Sequence, residues 1–439
     1  MGLATFIGGI HPYDGKKLSM DKPTTILMPK GDLVFPMSQH IGEPAKPIVA
    51  VGDKVLVGQK IGEATGNVSA CVISSVSGTV KAIEDRLNVT GVKVKSIVIE
   101  NDGEYQGIDD FGTKVDVNKL TKAEIRCKIK EAGIVGLGGA GFPTHIKLTP
   151  KDDSKIDYVI VNAAECEPYL TSDYRVLMEE PEKLISGLNI LLKLFDNAKG
   201  IIAIEDNKPE AIEKLNELVK KESKIELKVL KTKYPQGSER LMISAITKRK
   251  INSKMLPSDV GCIVDNVDTV ISIYSAVAEN IPLIRKIVTV TGDAINEPRN
   301  FNVRLGTSFT ELIEAAGGFK TKPEKIISGG SMMGKALHSV EIPVSKISSG
   351  ILCVAVDEVA ANPTTACIRC GRCADVCPSR VVPQKMYQAY LRNDLEEFQR
   401  LHGMECCECG ACTFACPAKI QLTQGFDQAK KSIRENSTK

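Results

Sequence analysis

The spacing of hydrophobic residues changes several times along this chain, and each change predicts a different architecture. Residues 1–30 show no regular pattern and carry prolines at 12, 23 and 29, so an irregular N-terminal segment is expected. From 31 to 105 the apolar runs are short and punctuated by glycine, as in Lys54-Val-Leu-Val, Ala70-Cys-Val-Ile and Gly78-Thr-Val-Lys-Ala-Ile. Many short strands with glycine turns predict a small β-barrel or sandwich. From 121 to 285 the period alternates. Thr121–Ala132 reads as a helix with Glu124 completing a capping box. Asp157–Asn162, Gly200–Glu205 and Ile225–Leu230 read as buried strands, and Pro181–Asp196 and Pro209–Ser223 as helices. Such alternation predicts a mostly parallel sheet covered on both faces. Between 286 and 345 the segments shorten again, with strands at Lys286 and Lys325 and a helix at Phe309–Ala316. The last unit, 363–428, is cysteine-rich, with a helical stretch at Gln384–Leu401. The expected fold class is multidomain α/β.

Charge narrows the function. With 57 Lys and Arg against 54 Asp and Glu, the net charge is +3, and no basic stripe points to nucleic acid. No basic segment followed by an apolar core opens the chain, and no apolar run reaches the length of a membrane helix, so a soluble or peripheral protein is expected.

Eight of the fourteen cysteines form two matching runs: Cys367, Cys370, Cys373, Cys377 before Pro378, and Cys406, Cys409, Cys412, Cys416 before Pro417. Each spells C-x2-C-x2-C-x3-C-P, the bacterial ferredoxin pattern for a [4Fe–4S] cluster. Three closely spaced thiolates wrap one cubane, and the fourth usually serves the neighbouring cluster. The expected ligand sets are therefore crossed: Cys367, Cys370, Cys373 with Cys416, and Cys406, Cys409, Cys412 with Cys377. Structural zinc is the competing reading, since it also uses C-x2-C pairs, but it needs only four ligands. Cluster assembly needs reduced thiolates, which favours the cytoplasm. The long spacer between the runs favours a helical ferredoxin-like domain. Arg369, Arg372 and Arg380 flank the first run and Glu405 and Glu408 the second, so the first cluster is expected at the higher potential. Cys71, Cys127, Cys166, Cys262, Cys353 and Cys407 are scattered and read mostly as small buried residues.

A second informative segment is Gly136-Leu-Gly-Gly-Ala-Gly-Phe-Pro-Thr-His-Ile-Lys147. Glycines let backbone N–H groups approach a phosphate, and a following helix start adds a favourable dipole. A tight turn packed on a helix is the alternative. Lys147 is either a phosphate or flavin-ring partner or a surface lysine. Past the next strand, Asn162-Ala-Ala-Glu-Cys-Glu-Pro168 lies where open α/β sheets bind ligands. In an extended turn, Glu165 and Glu167 would face the same side and accept from ribose hydroxyls or an amide. A solvated acidic turn is the bland reading. Tyr234-Pro-Gln-Gly-Ser-Glu239 and Val264-Asp-Asn-Val-Asp-Thr269 are polar clusters that say little separately.

In order, the glycine loop, Asn-x-x-Glu-x-Glu-Pro, Gly-x-Glu and x-Asn-Val-x-Thr resemble the flavin- and NADH-binding subunit of respiratory complex I. The likeness continues through a β-grasp segment of the soluble-ligand-binding kind at 286–345. The front, with Val51-Gly-Asp-Lys-Val-Leu-Val-Gly and Ser75-Val-Ser-Gly-Thr-Val, resembles a lipoyl-type barrel whose hairpin, Thr65-Gly-Asn-Val-Ser-Ala, lacks the modified lysine. Together with the two ferredoxin runs, these make the closer resemblance the RnfC subunit of Rnf complexes, membrane-bound ion-translocating ferredoxin:NAD oxidoreductases, over nearly the whole chain. A related subunit of the sodium-pumping quinone reductase lacks the cluster motifs.

The resemblance implies a lipoyl-like barrel, a Rossmann-like FMN domain, a β-grasp domain and a helical two-cluster domain. It implies non-covalent FMN, NAD(H) as substrate and two [4Fe–4S] clusters. Its partners would be the other Rnf subunits and, indirectly, ferredoxin, at the cytoplasmic face of the membrane. It carries Gly136, Gly138, Gly139 and Lys147 to the FMN phosphate and ring, and Phe142 to the nucleotide pocket. Asn162, Glu165 and Glu167 go to the flavin and nicotinamide edge, with Glu167 the catalytic candidate. Gly237 and Glu239 form the Gly-x-Glu element, and Asn266 and Thr269 the last flavin contact. Leu137 and Ala164 stand where complex I has arginine and aspartate, and Asp265 where asparagine is common.

The implied chemistry is conversion between electron pairs and single electrons. Nicotinamide exchanges hydride, a cluster passes one electron, and flavin does both. Rival readings are a soluble diaphorase subunit and a flavin-less electron-carrying scaffold. The front is expected to be a removable docking module, so that a chain lacking residues 1–100 still folds and keeps flavin and clusters.

Overall fold

The computed structural model describes residues 2–437. In the front unit, Leu33–Pro36, Lys93–Asn101, Gly78–Leu87 and Lys54–Val55 make a four-stranded sheet, and Lys46–Pro47, Lys60–Glu63 and Val72–Ile73 a three-stranded one. Their inward residues Leu33, Phe35, Ile61, Val72, Val80, Ile97 and Ile99 fill the space between. Burial of one face explains the alternation of apolar and polar positions.

The central unit is a parallel sheet in the order Ile225–Leu230, Lys199–Glu205, Tyr158–Ala163, Cys262–Asn266. Its strands read as continuous apolar runs because both faces are covered. Val159, Val161 and Ala163 pack with Leu184, Leu188 and Val270 of helices Pro181–Leu192 and Val267–Ala278. Ile160 and Val264 pack on the other face with Met242 and Ile243 of helix Glu239–Thr247. The helix at Lys122–Glu131 starts as expected: Thr121 Oγ1 accepts Glu124 N–H at 3.3 Å, and Glu124 accepts Thr121 N–H at 2.7 Å.

A six-stranded mixed sheet follows, ordered Thr25–Leu27, Arg299–Arg304, Arg285–Thr291, Gly350–Val354, Lys325–Ser328, Lys335–Leu337. Two strands fall outside the expected 286–345. Gly350–Val354 inserts between Arg285–Thr291 and Lys325–Ser328, and Thr25–Leu27 adds an edge in parallel with Phe301–Val303. Long-range pairing completes this sheet, and neither strand has a local signal that names its partner.

The C-terminal unit is helical and repeats itself. Helices Arg372–Asp375 and Ala411–Phe414 follow glycines Gly371 and Gly410, each at φ 80°. Arg369 and Glu408 share φ 56°, and Arg380 and Lys419 have φ 58° and 54°, so left-handed turns recur at matching positions of the two cysteine runs. The expected helix Gln384–Leu401 is two helices, Pro383–Leu391 and Leu395–Arg400, broken where Asn393 takes φ 55°. They pack with Leu422–Ser437 around Met386, Phe398 and Phe426.

The first residues are irregular, as expected, but they are not loose. Ala4 bridges Leu230 and Ile10 bridges Tyr234. Gly9 N–H donates to Val376 O at 2.8 Å. Lys16 is 4% exposed beneath the loop after strand Tyr158–Ala163. A segment without periodicity is ordered here because its backbone groups pair with other domains. The barrel is also braced against the glycine loop: Ile41 N–H donates to Gly141 O at 3.1 Å, and Lys346 Nζ bridges Cys71 O and Gly133 O at 2.5 and 2.7 Å. A cut from residue 1 that removes the front therefore takes these ties with it.

Candidate functional site

Four elements meet at the carboxyl edge of the parallel sheet. The glycine loop closes on itself, with Gly136 N–H donating to Phe142 O at 2.8 Å and Gly141 N–H to Gly136 O at 3.2 Å. Gly138, Gly139 and Ala140 form its exposed rim. A Cβ on Gly138 would sit 3.2 Å from Asn266 Cβ, whereas Gly139 has φ +114° and faces open space. Leu137 N–H donates to Thr269 Oγ1 at 2.9 Å. Its carbonyl accepts from Lys286 Nζ at 3.0 Å, and Lys286 pairs with Asp268 at 3.2 Å. Burial alone would raise Asp268, but Lys286 and Arg285 hold its carboxyl below the usual range. An exposed glycine rim leaves backbone open to close approach by an anionic group.

Several of the other predicted residues are linked to one another at the strand ends beside the loop. Asn162 and Asn266 are register partners on adjacent parallel strands. Asn162 Nδ2 donates to Gly237 O at 2.8 Å, and Asn266 Nδ2 to Asp173 Oδ2 at 2.6 Å. Phe142 is half-buried at the loop's return. Lys147 is no solvated surface lysine: Nζ donates to Val264 O at 2.6 Å and pairs with Asp265 and Glu239, each at 3.5 Å. Burial opposes its charge, yet the two carboxylates raise its pKa. Burial pushes Asp265 up in turn, against Lys147.

Glu165 and Glu167 are neither solvated nor on one extended face. Glu165 takes φ +46°, which turns the two side chains apart. Its Oε1 accepts Asp173 N–H at 2.7 Å and Oε2 accepts Tyr174 N–H at 3.4 Å, capping helix Ser172–Glu179, which has no side-chain cap of its own. Lys16 Nζ stands 3.8 Å away. Glu167 Oε1 accepts the N–H groups of Met332 and Met333 at 2.6 and 3.1 Å, on the loop between strands Lys325–Ser328 and Lys335–Leu337. Burial raises the pKa of both carboxylates, partly offset by Lys16 and by these donors.

The cysteines fall into two groups. Cys367, Cys370, Cys373 and Cys416 line a cavity of about 290 Å³ with Gln384 and Tyr387. Cys377, Cys406, Cys409 and Cys412 line a tighter cleft, with Cys407 beside them. Each cavity thus takes thiols from both runs, a donor set suited to iron–sulfur clusters. The second group abuts the loops at the sheet's carboxyl edge: Ile10, Tyr234, Cys409 and Ala411 form an apolar cluster joined by Cys166, Met332, Val376 and Cys407. The acidic flank of the second run is not free charge. Glu405 accepts from Ser253 N–H at 2.9 Å and pairs with Arg240 at 3.3 Å, and Glu408 pairs with Lys430. That pairing cuts the lowering of potential expected from two bare carboxylates.

Sequence reasoning missed Lys16, Asp173, Lys286 and the Met332–Met333 amides. Lys286 had a signal, a charge heading a buried strand. Lys16 had none, because its partners lie far along the chain. Of the scattered cysteines, Cys71, Cys262 and Cys353 are buried as expected, Cys127 is exposed, and Cys166 and Cys407 pack beside Tyr234 and Cys409.

Four family models match in the order of the domains: the RnfC barrel sandwich hybrid domain over residues 4–104, the Nuo51 FMN-binding domain over 129–275, the SLBB domain over 287–336 and the 4Fe-4S dicluster domain over 360–432. The C-subunit of the Na+-translocating ferredoxin:NAD+ oxidoreductase complex of Acetobacterium woodii is 43% identical over 98% of this chain and 97% of its own. The C-subunit of the proton-translocating complex of Clostridium ljungdahlii is 45% identical over 88% of this chain and 84% of its own. A crystal structure of an NAD+-reducing [NiFe]-hydrogenase shares the fold at TM-score 0.52 and 18% identity, over 73% of this chain and 67% of that one. The chain belongs to the RnfC family, the C-subunits of ion-translocating ferredoxin:NAD+ oxidoreductase (Rnf) complexes.

Proposed function

We propose that this chain is the NAD(H)- and FMN-binding electron-transfer subunit of a membrane-bound, ion-translocating ferredoxin:NAD+ oxidoreductase. The observation that carries this reading is the packing of the second cysteine group against the loops at the sheet's carboxyl edge. That contact sets a cluster site beside a flavin site. When bound, FMN supplies exchange of electrons in pairs with nicotinamide and singly with clusters.

The chain's own residues bind and align. Gly136, Gly138 and Gly139 would present backbone to the phosphate, and Lys286, paired with Asp268, fixes the loop through the Leu137 carbonyl. Asn162, Asn266 and Thr269 fix the strand ends and loop that would hold the flavin, with Phe142 and Gly237 beside them. Lys147, balanced by Asp265 and Glu239, keeps a cation at that edge. Glu165 and Glu167 shape the nucleotide edge, one by capping a helix and the other by holding the Met332–Met333 loop. Cys406, Cys409, Cys412 and Cys377 would hold the inner cluster, packed against the loops at the sheet's carboxyl edge. Cys367, Cys370, Cys373 and Cys416 would hold the outer one, where Cys367 and Cys370 are exposed.

Among the described residues no helix is long and apolar enough to cross a membrane. In this reading the protein is peripheral, on the cytoplasmic face, and attaches through its partners. Anaerobically purified protein should hold FMN and about eight irons, and NADH should reduce the flavin and then the clusters. Protein with zinc and negligible iron, or with clusters that NADH cannot reduce, would overturn the reading.

A further inference from the structure

One side chain spans the boundary between the flavin-edge loops and the second cysteine group. Tyr234 is 2% exposed, and its hydroxyl donates to the backbone carbonyl of Cys409 at 2.7 Å. Its own backbone is held on both sides, since Ile10 N–H donates to Tyr234 O at 2.9 Å and Tyr234 N–H to Ile10 O at 3.0 Å. Its ring packs in the apolar cluster with Cys409 and Ala411, next to Cys166, Met332 and Cys407. The same strand of chain continues to Gly237, whose N–H points at Cys166 Sγ at 3.2 Å and whose carbonyl accepts from Asn162. One short segment therefore touches the sheet edge at Asn162, the Glu165–Glu167 loop at Cys166, and the cysteine loop at Cys409.

A second tie acts on the other chain segment of the same cysteine group. Gly9 N–H donates to Val376 O at 2.8 Å, and Gly8 packs so closely that a Cβ would meet Cys377 O at 2.8 Å. Because Ile10 is locked to Tyr234, both segments that supply this cluster's thiols are clamped from one point. Among the described residues no such backbone tie from the N-terminal segment reaches the outer group, whose Cys367 and Cys370 are exposed.

Resting on the proposed cofactor assignment, we infer that Tyr234 is a positioning residue that registers the inner cluster against the flavin edge. No bond forms or breaks at Tyr234, and its hydroxyl keeps its proton throughout. Its hydrogen bond draws electron density from the peptide of a ligand residue and holds that peptide in place, so it tunes one cluster and leaves the other alone. A tyrosine that merely filled space would need its ring but not its oxygen.

Tyr234→Phe keeps the ring and deletes the oxygen, and is tested in the full-length, cofactor-loaded protein beside wild type. Iron and flavin are counted first. Clusters are then followed by electron paramagnetic resonance during a redox titration, and flavin and cluster reduction by rapid mixing with NADH. The expected result is unchanged iron and flavin content, a shifted signal and midpoint for one cluster only, and slower passage from flavin to cluster relative to flavin reduction. Cys373→Ser, which strips the outer cluster, identifies which signal moved. Two unshifted clusters with an unchanged rate ratio overturn the proposal, as does an equal shift in both or loss of a cluster from Tyr234→Phe. Wild-type protein lacking flavin or clusters would instead overturn the cofactor assignment, and the proposal with it.

Discussion

Glu167 Oε1 accepts the backbone N–H of Met332 at 2.6 Å, joining the loop after strand Tyr158–Ala163 to a hairpin loop of the six-stranded sheet. The carboxylate also accepts Met333 N–H at 3.1 Å. Glu167→Ala leaves two backbone donors unmatched, at what we propose is the nucleotide edge. A hydrogen bond to a charged group contributes about 1.5–3 kcal/mol. NADH-dependent dye reduction should fall about ten- to a hundred-fold, with FMN content falling less and the melting temperature dropping. Glu167→Gln, which keeps an oxygen acceptor, should retain more of all three. Kinetics unchanged in the alanine variant would remove Glu167 from the site.

Asp173 supplies a pH test. Burial first, then the neighbouring Glu165, pushes its carboxyl from 3.8 up to about 7. The folded protein therefore holds this proton more tightly than the unfolded chain. Its stabilising contribution is complete below the unfolded value and is lost as pH rises through the folded one. Asp173→Asn removes that titration. Relative to wild type, the variant should gain stability between about pH 4 and pH 8. Melts at both ends of that window give the comparison, and a constant difference would refute it.

The crossed thiol sets make a selective prediction. Cys416→Ser and Cys373→Ser should deplete the same cluster, and Cys377→Ser the other, each variant keeping about four irons. Iron counts and resonance spectra distinguish this from uncrossed pairing, in which Cys416→Ser would match Cys412→Ser.

Gly139→Val tests the cradle. A Cβ there meets nothing within 4 Å, so packing does not forbid it, but φ is +114°. A left-handed backbone costs an L-residue roughly 1–2 kcal/mol and a β-branched one more, and the new side chain stands on the exposed rim. FMN should be lost while both clusters remain. Stoichiometric flavin in the variant would show that the loop is only a turn.

Lys16 Nζ donates to Leu170 O at 2.5 Å and Glu167 O at 3.1 Å, and stands 3.8 Å from Glu165. Stranding a buried charge by removing its partner costs about 3–5 kcal/mol. Lys16→Met should lower both the melting temperature and flavin occupancy. Deleting residues 1–20 should do so more severely and loosen the inner cluster, whereas excising only the barrel and rejoining the chain should do less harm. A deletion that keeps full flavin and iron would show these ties to be dispensable.

The local sequence by itself determined the repeats and many of the elements, though not strands Thr25–Leu27 and Gly350–Val354. The cysteine spacing, the glycine loop, the capping box at Thr121 and the apolar strand runs are short-range signals, because ligand wrapping, turn geometry and helix starts depend on neighbours within a few residues. Only the tertiary structure decided what those elements face. Glu165 and Glu167 read as carboxylates facing one side of an extended turn, yet one left-handed residue turns them toward different partners. Residues 1–30 read as irregular, yet Ala4, Ile10 and Lys16 pair with groups more than a hundred positions away. Lys147 read as a choice between ligand and surface, and only the convergence of Asp265 and Glu239 showed it to be a buried ion pair. A desolvated charge or backbone group takes whichever partner the fold brings near, and no periodicity along the chain encodes that partner.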